Sequence, residues 1–365
     1  MKIKAAVSYE HQAPLVIDEL DLAEPRENEV LVKVVGCGIC ATDISCIRDG
    51  LGGLNSPPIV LGHEGSGIVE KVGPGVTEFV PGDHVIISYP YCGECDFCRK
   101  GKVWFCNDGL KLINGGAMAD GFSPLSKDGK PIHNYFGASC FADHLVSNTK
   151  NLVKVDPEID LRYVGPMACG CMTGTGAVLN SIQPEPGSSI VVFGLGAIGM
   201  GAVMAANISR CTTIIAVDIV DSRLEAALKC GATHVINSSN VDMVEEIMRI
   251  TDGQGADYAV EGSGATPCVK AAYAATKTEA TIAMVGVSHK VVFDNFFFDI
   301  YSKRTVSINM GNAHPKLFIP QILDWYKRGL FPMENIVTFY PLEKINDAIE
   351  DSKSGATIKP VILFE

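Results

Sequence analysis

The stretch from residue 189 to residue 206 reads SIVVFGLGAIGMGAVMAA and decides the fold of the part of the chain around it. Its β-branched and aromatic start predicts a buried strand, and its small-residue end predicts a closely packed helix. Between the two, Gly194, Gly196 and Gly199 have the spacing G-x-G-x-x-G. The first glycine permits a tight turn, the second lets the backbone approach a pyrophosphate, and the third lets the helix pack on the strand. We therefore predict a dinucleotide-binding loop whose helix N-terminus binds the phosphates.

An acidic residue completes this pattern. Asp218 follows Gly199 by 19 residues, at the end of the strand-like run TTIIAVD. A carboxylate at this place is expected to accept hydrogen bonds from the ribose hydroxyls of NAD and to repel the extra phosphate of NADP. Arg223 is expected to flank the adenosine ribose and to soften that preference. The alternative is an acidic strand end that binds no ligand, but the complete glycine pattern favours NAD.

The order of the segments predicts two domains. Strand-like and helix-like segments alternate from about Ser188 onward, for example HVINSS followed by VDMVEEIMRITDG. This alternation predicts an α/β fold with a doubly wound parallel sheet of the Rossmann type. The preceding residues form short β-like runs separated by turn signals, which predicts a mostly β domain. We therefore predict a coenzyme domain at 169–310, inserted between two parts, 1–168 and 311–365, of one catalytic domain.

The composition excludes some partners and favours a compartment. The chain has 365 residues, a formal net charge of −12 and 13 cysteines. Such a charge repels phosphate backbones and anionic membranes, so we expect neither nucleic acid nor membrane as a partner. The N-terminus shows no apolar segment of signal-peptide length, so we expect a cytoplasmic protein. In such a protein the cysteines are expected to be metal ligands and reduced core thiols rather than disulfides.

Four cysteines lie close together in the run YCGECDFCRKGKVWFC. The two-residue gaps let the sulfurs of one tight loop converge on a single metal, and the longer gap brings the fourth sulfur back to close a tetrahedron. Four thiolates with no open position are typical of a structural zinc site. The alternative is a set of reduced surface thiols or disulfides. The lobe 92–106 is thus predicted to bind structural zinc through Cys92, Cys95, Cys98 and Cys106.

A second set of potential ligands is spread along the chain: Cys40, His63 with Glu64, and Cys169. Two thiolates and one imidazole leave a fourth position for water or substrate, which is typical of a catalytic zinc. By chemistry alone, a single histidine and scattered cysteines are more often core residues than ligands.

The order of the motifs resembles one family over nearly the whole chain. GHEGSGIV at 62–69, the four-cysteine lobe, CGCMTGTG at 169–176 and the glycine loop follow one another as in the zinc-dependent medium-chain alcohol dehydrogenases. The segments NYFGASCFADHLV, NLVKVD and GCMTGTGAVLNS are most similar to aryl-alcohol (benzyl-alcohol) dehydrogenases. The resemblance implies a GroES-like catalytic domain, two zinc ions per subunit and NAD as coenzyme.

The resemblance also implies roles for the residues near the catalytic zinc. Cys40, His63 and Cys169 would be its ligands; Cys171 is a nearby competitor, but Cys169 holds the place before Gly-x-x-Thr-Gly. Four neighbouring residues would assist without being permanent ligands. Asp43 would orient His63, and Glu64 would approach the metal during ligand exchange. The Thr42 hydroxyl would take the alcohol proton, and Ser45 would replace a relay histidine of some relatives.

On the coenzyme side, the resemblance implies that Thr173 packs on the nicotinamide, that Val285 and Val287 lie near its amide, and that Lys359 lies near the pyrophosphate. Ala41 replaces a basic phosphate contact that some relatives have, which would weaken NAD affinity or quicken release.

The substrate follows only from the resemblance. We expect a primary aromatic or allylic alcohol such as benzyl alcohol, in a pocket lined by Leu51, Leu54, Phe141 and Met310, although each of these is more often an ordinary packing residue. A secondary-alcohol or polyol dehydrogenase is the nearest alternative, an enone or quinone reductase is disfavoured by the zinc ligands, and a non-catalytic NAD- and zinc-binding sensor is a different class. The strand near 306–309 is a potential edge for pairing in a homodimer or homotetramer.

Overall fold

The computed structural model describes residues 1–287, 291–293 and 300–365. They form two compact units. Unit 1 comprises Met1–Cys169, His314–Lys327 and Val337–Glu365, and unit 2 comprises Gly170–Ala313 and Arg328–Ile336. The sequence division places 328–336 with the catalytic part, whereas in the structure it packs with unit 2. None of the described helices is both long and apolar enough to cross a bilayer.

Short strands dominate the first half of the chain, and strands alternate with helices in the second half. The strands are β1 (Lys2–Ser8), β2 (Val16–Leu22), β3 (Glu29–Gly38), β4 (Ile59–Val60), β5 (Glu64–Val72), β6 (His84–Ile87), β7 (Leu125–Lys127), β8 (Lys130–Asn134), β9 (His144–Asn148), β10 (Leu152–Val155), β11 (Ser189–Phe193), β12 (Thr213–Asp218), β13 (His234–Asn237), β14 (Ala256–Glu261), β15 (Thr276–Met284), β16 (Arg304–Ser307), β17 (Val337–Pro341) and β18 (Lys359–Leu363). The helices are α1 (Ala41–Gly53), α2 (Asp96–Arg99), α3 (Gly109–Asn114), α4 (Leu161–Val164), α5 (Gly170–Gly176), α6 (Ala197–Ile208), α7 (Asp221–Lys229), α8 (Met243–Ile250), α9 (Thr266–Ala274), α10 (Pro315–Lys327) and α11 (Ile345–Ser354).

The sheet of unit 2 has the strand order β13-β12-β11-β14-β15-β16, and all its described pairings are parallel. This is the order of the doubly wound dinucleotide-binding fold, in which the direction of winding reverses beside the first strand, here β11. Val191 and Phe193 of β11 pack in one core cluster with Ile247 of α8 and Val269 of α9. The predicted Rossmann sheet is confirmed.

Helices α5 and α6 approach each other backbone to backbone because glycines line both. A Cβ atom on Gly174 would lie 1.8 Å from the Ile198 carbonyl oxygen, and one on Gly201 would lie 2.5 Å from that of Cys171. This close contact holds the glycine loop and the GCMTGTG segment in a fixed relation within unit 2.

Unit 1 is mostly β, as predicted. Its strands form a closed barrel, β1-β2-β7-β8-β4, and a sheet of order β10-β6-β5-β3-β18-β17, with β9 paired to β3. The sheet positions the predicted metal ligands: Gly38, near the end of β3, pairs with Glu64 at the start of β5. The residues just after β3 and just before β5 are therefore neighbours in space, and these are Cys40 and His63.

Candidate metal and coenzyme sites

The structure brings together the ligands predicted for the catalytic zinc. Potential ligand atoms of Cys40, His63, Glu64 and Cys169 all lie within 4.8 Å of one another. His63 Nε2 lies 3.3 Å from Cys169 Sγ. Two sulfurs, one imidazole nitrogen and a carboxylate at these separations fit a tetrahedral zinc ion with one exchangeable position. Every member of the set belongs to unit 1.

The pKa values of the two thiols in this cluster shift in opposite directions. The pKa of Cys40 lies well below its ordinary value, chiefly because Cys169 donates a hydrogen bond to its sulfur, although burial acts in the opposite direction. The pKa of Cys169 is correspondingly raised by the same hydrogen bond and by burial. The thiolate is the form of cysteine that binds a metal, and the lowered pKa of Cys40 favours that form.

Asp43 fixes both ligand-bearing segments. Its carboxylate is fully buried. Oδ1 lies 3.0 Å from His63 Nδ1 and accepts a hydrogen bond from the Gly62 N–H at 3.1 Å. Oδ2 accepts a hydrogen bond from the Cys40 N–H at 2.9 Å. Because Nδ1 faces this carboxylate, it carries the imidazole proton and Nε2 is left as the ligand atom.

Glu64 and Lys359 form a buried ion pair beside the ligands. Lys359 Nζ lies 2.8 Å from Glu64 Oε2 and also donates to the Ile39 carbonyl oxygen at 2.8 Å. Burial raises the pKa of Glu64, although the charge of Lys359 acts to lower it. The pyrophosphate contact predicted for Lys359 stays a prediction; in the structure this side chain is 3% exposed.

The predicted proton-relay residues lie on the first turn of α1. Thr42 Oγ1 lies 3.5 Å from Cys40 Sγ, so the hydroxyl is beside the cluster. Ser45, three residues on, shares that helix face and is half-buried. Ala41 is exposed.

The four cysteines of the lobe 92–106 also converge. Their sulfurs lie within 4.8 Å of one another, and the backbone N–H of Cys95 points at Cys92 Sγ. The helical segments of the lobe and α3 bury only Cys98 and Val103. Since so few apolar side chains are buried, a metal held by four thiolates is the natural source of the lobe's stability.

The three glycines of the coenzyme loop differ in surroundings. Gly194 has φ +82°, and a Cβ on it would lie 2.8 Å from Ser263 Cβ. A Cβ on Gly199 would lie 1.9 Å from the Gly194 carbonyl oxygen, whereas one on Gly196 would meet nothing within 4 Å. Gly194 thus serves the turn and Gly199 the packing, and the open space at Gly196 is where a dinucleotide would approach the backbone.

Asp218 lies at the end of β12 beside this loop. Its carboxylate accepts hydrogen bonds from the N–H groups of Leu195 at 2.7 Å, Ile219 at 2.8 Å and Val220 at 3.1 Å. Arg223 Nη1 is 3.8 Å from Asp218 Oδ2. A negative charge is therefore fixed next to the glycine turn, as an NAD ribose site requires.

The remaining predicted site residues have varied surroundings. Thr173 is buried in α5, the Val285 N–H donates to the Glu261 carbonyl oxygen, and Val287 is 88% exposed. The residues predicted to line the substrate pocket are Phe141, which is fully buried; Leu54, which is 53% exposed; and Leu51 and Met310, which are half-buried with positive φ.

Sequence reasoning missed two contacts of the metal cluster. One is the ion pair between Glu64 and Lys359. The other is the packing of Tyr135 and Phe136 around the His63 ring. The only available signal for the second was the pair of adjacent aromatic residues in NYFG, which does not reveal its spatial partner.

A matched pair of alanine substitutions tests the glycine roles. Gly196→Ala is expected to leave the free energy of unfolding unchanged and to raise the Kd for NAD about tenfold, because the methyl group occupies the side from which the coenzyme approaches. Gly174→Ala is expected to lower the free energy of unfolding by ~1–3 kcal/mol through overpacking against α6. Denaturant titration and NAD-binding calorimetry measure both. Equal NAD affinity for Gly196→Ala and the parent would contradict the assignment.

Asp218→Asn tests coenzyme choice. The amide oxygen can still accept from Ile219 and Val220, but the charge that repels the NADP phosphate is gone, so the ratio of kcat/KM for NAD to that for NADP is expected to fall about tenfold. Asp221→Asn removes the same charge from an exposed position nearby and should leave the ratio unchanged. Unchanged discrimination in Asp218→Asn would refute the role.

Comparisons with known proteins agree with this geometry. Residues 197–328 match the model of the zinc-binding dehydrogenases, and residues 26–157 match that of the alcohol dehydrogenase GroES-like domain. A geraniol dehydrogenase of Castellaniella defragrans is 36% identical over 99% of this chain and 97% of its own, and an S-(hydroxymethyl)glutathione dehydrogenase of Escherichia coli is 35% identical over both full lengths.

Solved structures match over the full chain as well. The benzyl alcohol dehydrogenase of Acinetobacter calcoaceticus is 38% identical with a TM-score of 0.94 over all of both chains. An alcohol dehydrogenase zinc-binding domain protein of Burkholderia ambifaria is 42% identical with a TM-score of 0.95, covering 100% of this chain and 99% of that one. The predicted GroES-like and Rossmann domains, and zinc and NAD as cofactors, are confirmed by these matches and by the two ligand clusters. The chain belongs to the zinc-dependent medium-chain alcohol dehydrogenase family.

Proposed function

We propose that this protein oxidises a primary aromatic or allylic alcohol to its aldehyde, with NAD as the hydride acceptor. The alcohol loses a proton from oxygen and a hydride from carbon; the products are the aldehyde, NADH and a proton. The observation that carries the proposal is the convergence of Cys40, His63 and Cys169 beside the hydroxyl of Thr42.

Each residue of the cluster has a role in this proposal. Cys40, His63 and Cys169 would hold the zinc ion, which would supply the Lewis acidity that lowers the pKa of an alcohol. The Thr42 hydroxyl accepts that proton and passes its own onward. Ser45 is not a base near neutral pH, so a bound coenzyme would supply the route for the proton through its ribose hydroxyl and water. Asp43 keeps the His63 ring oriented through Nδ1.

The coenzyme roles are proposed likewise. Gly194, Gly196 and Gly199 bind the pyrophosphate through the N-terminus of α6, and Asp218 binds the adenosine ribose, flanked by Arg223. Thr173, Val285 and Val287, which belong to the same unit as the glycine loop, contact the nicotinamide. NAD carries the hydride, while these groups orient the coenzyme.

The relatives guide the choice of substrate. The names of two of them specify geraniol, which is allylic, and benzyl alcohol, which is aromatic. We propose that Leu51, Leu54 and Phe141, all of unit 1, contribute to a pocket for such a hydrophobic group. The alternative within the family is a secondary alcohol or polyol, and a third relative acts on S-(hydroxymethyl)glutathione.

Measuring NADH formation with a panel of alcohols tests the proposal. The panel contains benzyl alcohol, geraniol, ethanol, a secondary alcohol, a polyol and S-(hydroxymethyl)glutathione. We expect kcat/KM for benzyl alcohol or geraniol to exceed that for the other alcohols by at least about tenfold, and a zinc chelator to abolish turnover. Tight NAD binding without turnover of any alcohol would favour a sensor, and preference for a secondary alcohol or polyol would reassign the substrate.

We also propose assembly as a homodimer, or as a homotetramer of such dimers, in the cytoplasm. Among the described residues, β16 is an edge strand of the unit 2 sheet, with only β15 beside it. Pairing of this edge across a two-fold axis would satisfy its free backbone groups. Thiolate-rich metal sites persist in a reducing compartment. Light scattering of the purified protein measures the subunit number, and a monomer would refute the assembly.

A further inference from the structure

The ring of His63 is enclosed on more sides than a metal ligand requires. The Phe136 ring is stacked on it, with centroids 4.4 Å apart and planes 19° apart. The Tyr135 ring meets it edge-on at 5.7 Å and 82°. With the Asp43 carboxylate at Nδ1, the imidazole has a partner on one face, along one edge and at one nitrogen. All four side chains are at most 3% exposed.

The backbone that carries these aromatic rings is strained. Phe136 has φ +55°, in the left-handed region that bulky residues rarely adopt, and Gly137 and Ser139 also have positive φ. Such strain persists only where the surroundings over-determine the conformation, and it is concentrated at functional sites.

The surroundings of this turn meet that condition. Ser139 Oγ accepts from the Tyr135 N–H at 2.9 Å and is 2.8 Å from both the Val60 carbonyl oxygen and Asn134 Oδ1. The Cys140 N–H donates to the carbonyl oxygen of Gly62 at 2.8 Å, so the turn is bonded to the residue directly before His63.

Tyr135 is held separately at its hydroxyl. Its oxygen lies 3.3 Å from Cys46 Sγ, and Asn55 Nδ2 donates to that sulfur at 3.6 Å and to Asn114 Oδ1 at 2.9 Å. The edge-on ring is therefore fixed at both ends, by the strained turn and by this buried polar chain.

We propose that Tyr135 and Phe136 form an aromatic clamp that positions the His63 imidazole for metal binding. The clamp prevents rotation of the ring, which would break the Nδ1 contact with Asp43 and turn Nε2 away from Cys169. It also keeps water from the buried Asp43–His63 pair. Its effect is to slow the loss of zinc from this cluster and to fix the coordination geometry. The proposal rests on the assignment of His63 as a ligand under the proposed function.

Zinc release from the holoenzyme tests the clamp. The protein with both sites filled is mixed with an excess of a chromogenic chelator, and the two release phases are followed; His63→Ala identifies the phase of the catalytic cluster by its loss. We expect Phe136→Leu to accelerate that phase by about tenfold or more, as loss of a group that orients a ligand does, and to leave the four-cysteine phase unchanged. Phe79→Leu, at an equally buried phenylalanine of unit 1, should change neither phase.

A spectroscopic measurement separates positioning from general packing. With Co²⁺ in the catalytic cluster, the visible d–d bands report ligand geometry; they should shift in Phe136→Leu and not in Phe79→Leu. Phe136→Met, of similar volume but without a ring, replaces Phe136→Leu if circular dichroism shows that the latter fails to fold. If a folded Phe136 variant releases zinc at the parent rate and shows the parent cobalt bands, the clamp proposal is wrong. If His63→Ala keeps both release phases, the assignment of His63 as a ligand is wrong. If His63→Ala loses one phase while Phe136→Leu behaves like the parent, the ligand assignment stands and only the clamp proposal is wrong.

Discussion

Cys40→Ala is expected to lose turnover by at least about 10⁴-fold while NAD still binds with parent affinity, since a residue acting within a catalytic unit shows losses of this scale. Cys40 supplies one of the two sulfurs in the cluster, and the hydrogen bond from Cys169 lowers its pKa. Without it, the cluster retains one sulfur and one imidazole. Metal analysis should find one zinc per subunit instead of two, and calorimetry should give an unchanged Kd for NAD, because the coenzyme loop belongs to unit 2.

Cys171→Ala is the matched control for this result. Cys171 is fully buried, lies two residues from Cys169 and competes with it as a ligand on sequence grounds alone. In the structure it is absent from the ligand cluster, and its sulfur is 4.0 Å from Met333 Sδ. The Cys171→Ala variant should keep two zinc ions per subunit and the turnover rate of the parent. Normal activity of Cys40→Ala, or loss of zinc in Cys171→Ala, would contradict the assignment.

The second large effect concerns stability. Cys98→Ser is expected to release the other zinc and to open the lobe 92–106, because the lobe has almost no apolar core apart from Cys98 and Val103. The melting temperature should fall by about 10 °C, which corresponds to roughly 3 kcal/mol for a domain of this size. Trypsin should cut the variant after Arg99, Lys100 or Lys102 much faster than it cuts the parent, in which we expect the bound metal to hold the lobe closed.

Cys211→Ser is the control for introducing a hydroxyl at a buried cysteine. Cys211 is 7% exposed and belongs to unit 2, far in sequence from either metal cluster. It should retain both zinc ions and resist trypsin within the lobe. If Cys98→Ser were equally resistant and kept two zinc ions, the lobe would not depend on a metal.

The features that could be predicted from the sequence are those contained in one short segment. The glycine loop, Asp218 and the four cysteines are each contained in a short segment, so the spacing alone determines the geometry. The doubly wound sheet followed from alternation over many residues, and its strand order is that of the dinucleotide-binding fold.

The sequence could not predict the contacts that depend on how distant strands pair. Cys40 and His63 meet because Gly38 pairs with Glu64, and no pattern in either strand specifies that pairing. The Glu64–Lys359 ion pair spans nearly the whole chain. The aromatic contacts of His63 arise from a turn with positive φ at Phe136, which propensity disfavours. For these residues the family resemblance supplied ligand roles but no side-chain environment.

The position of β18 bears on how the protein matures during synthesis. This last strand lies beside β3, with Val361 opposite Gly38, and it carries the only lysine that neutralises the buried Glu64 carboxylate among the described ion pairs. A nascent chain that has already exposed Cys40, His63 and Cys169 but not β18 therefore still lacks the strand beside the end of β3 and the lysine that pairs with Glu64. We expect that nascent chains in which residues 359–363 have not yet emerged bind zinc weakly at this centre, and that ion capture follows the pairing of β18 with β3.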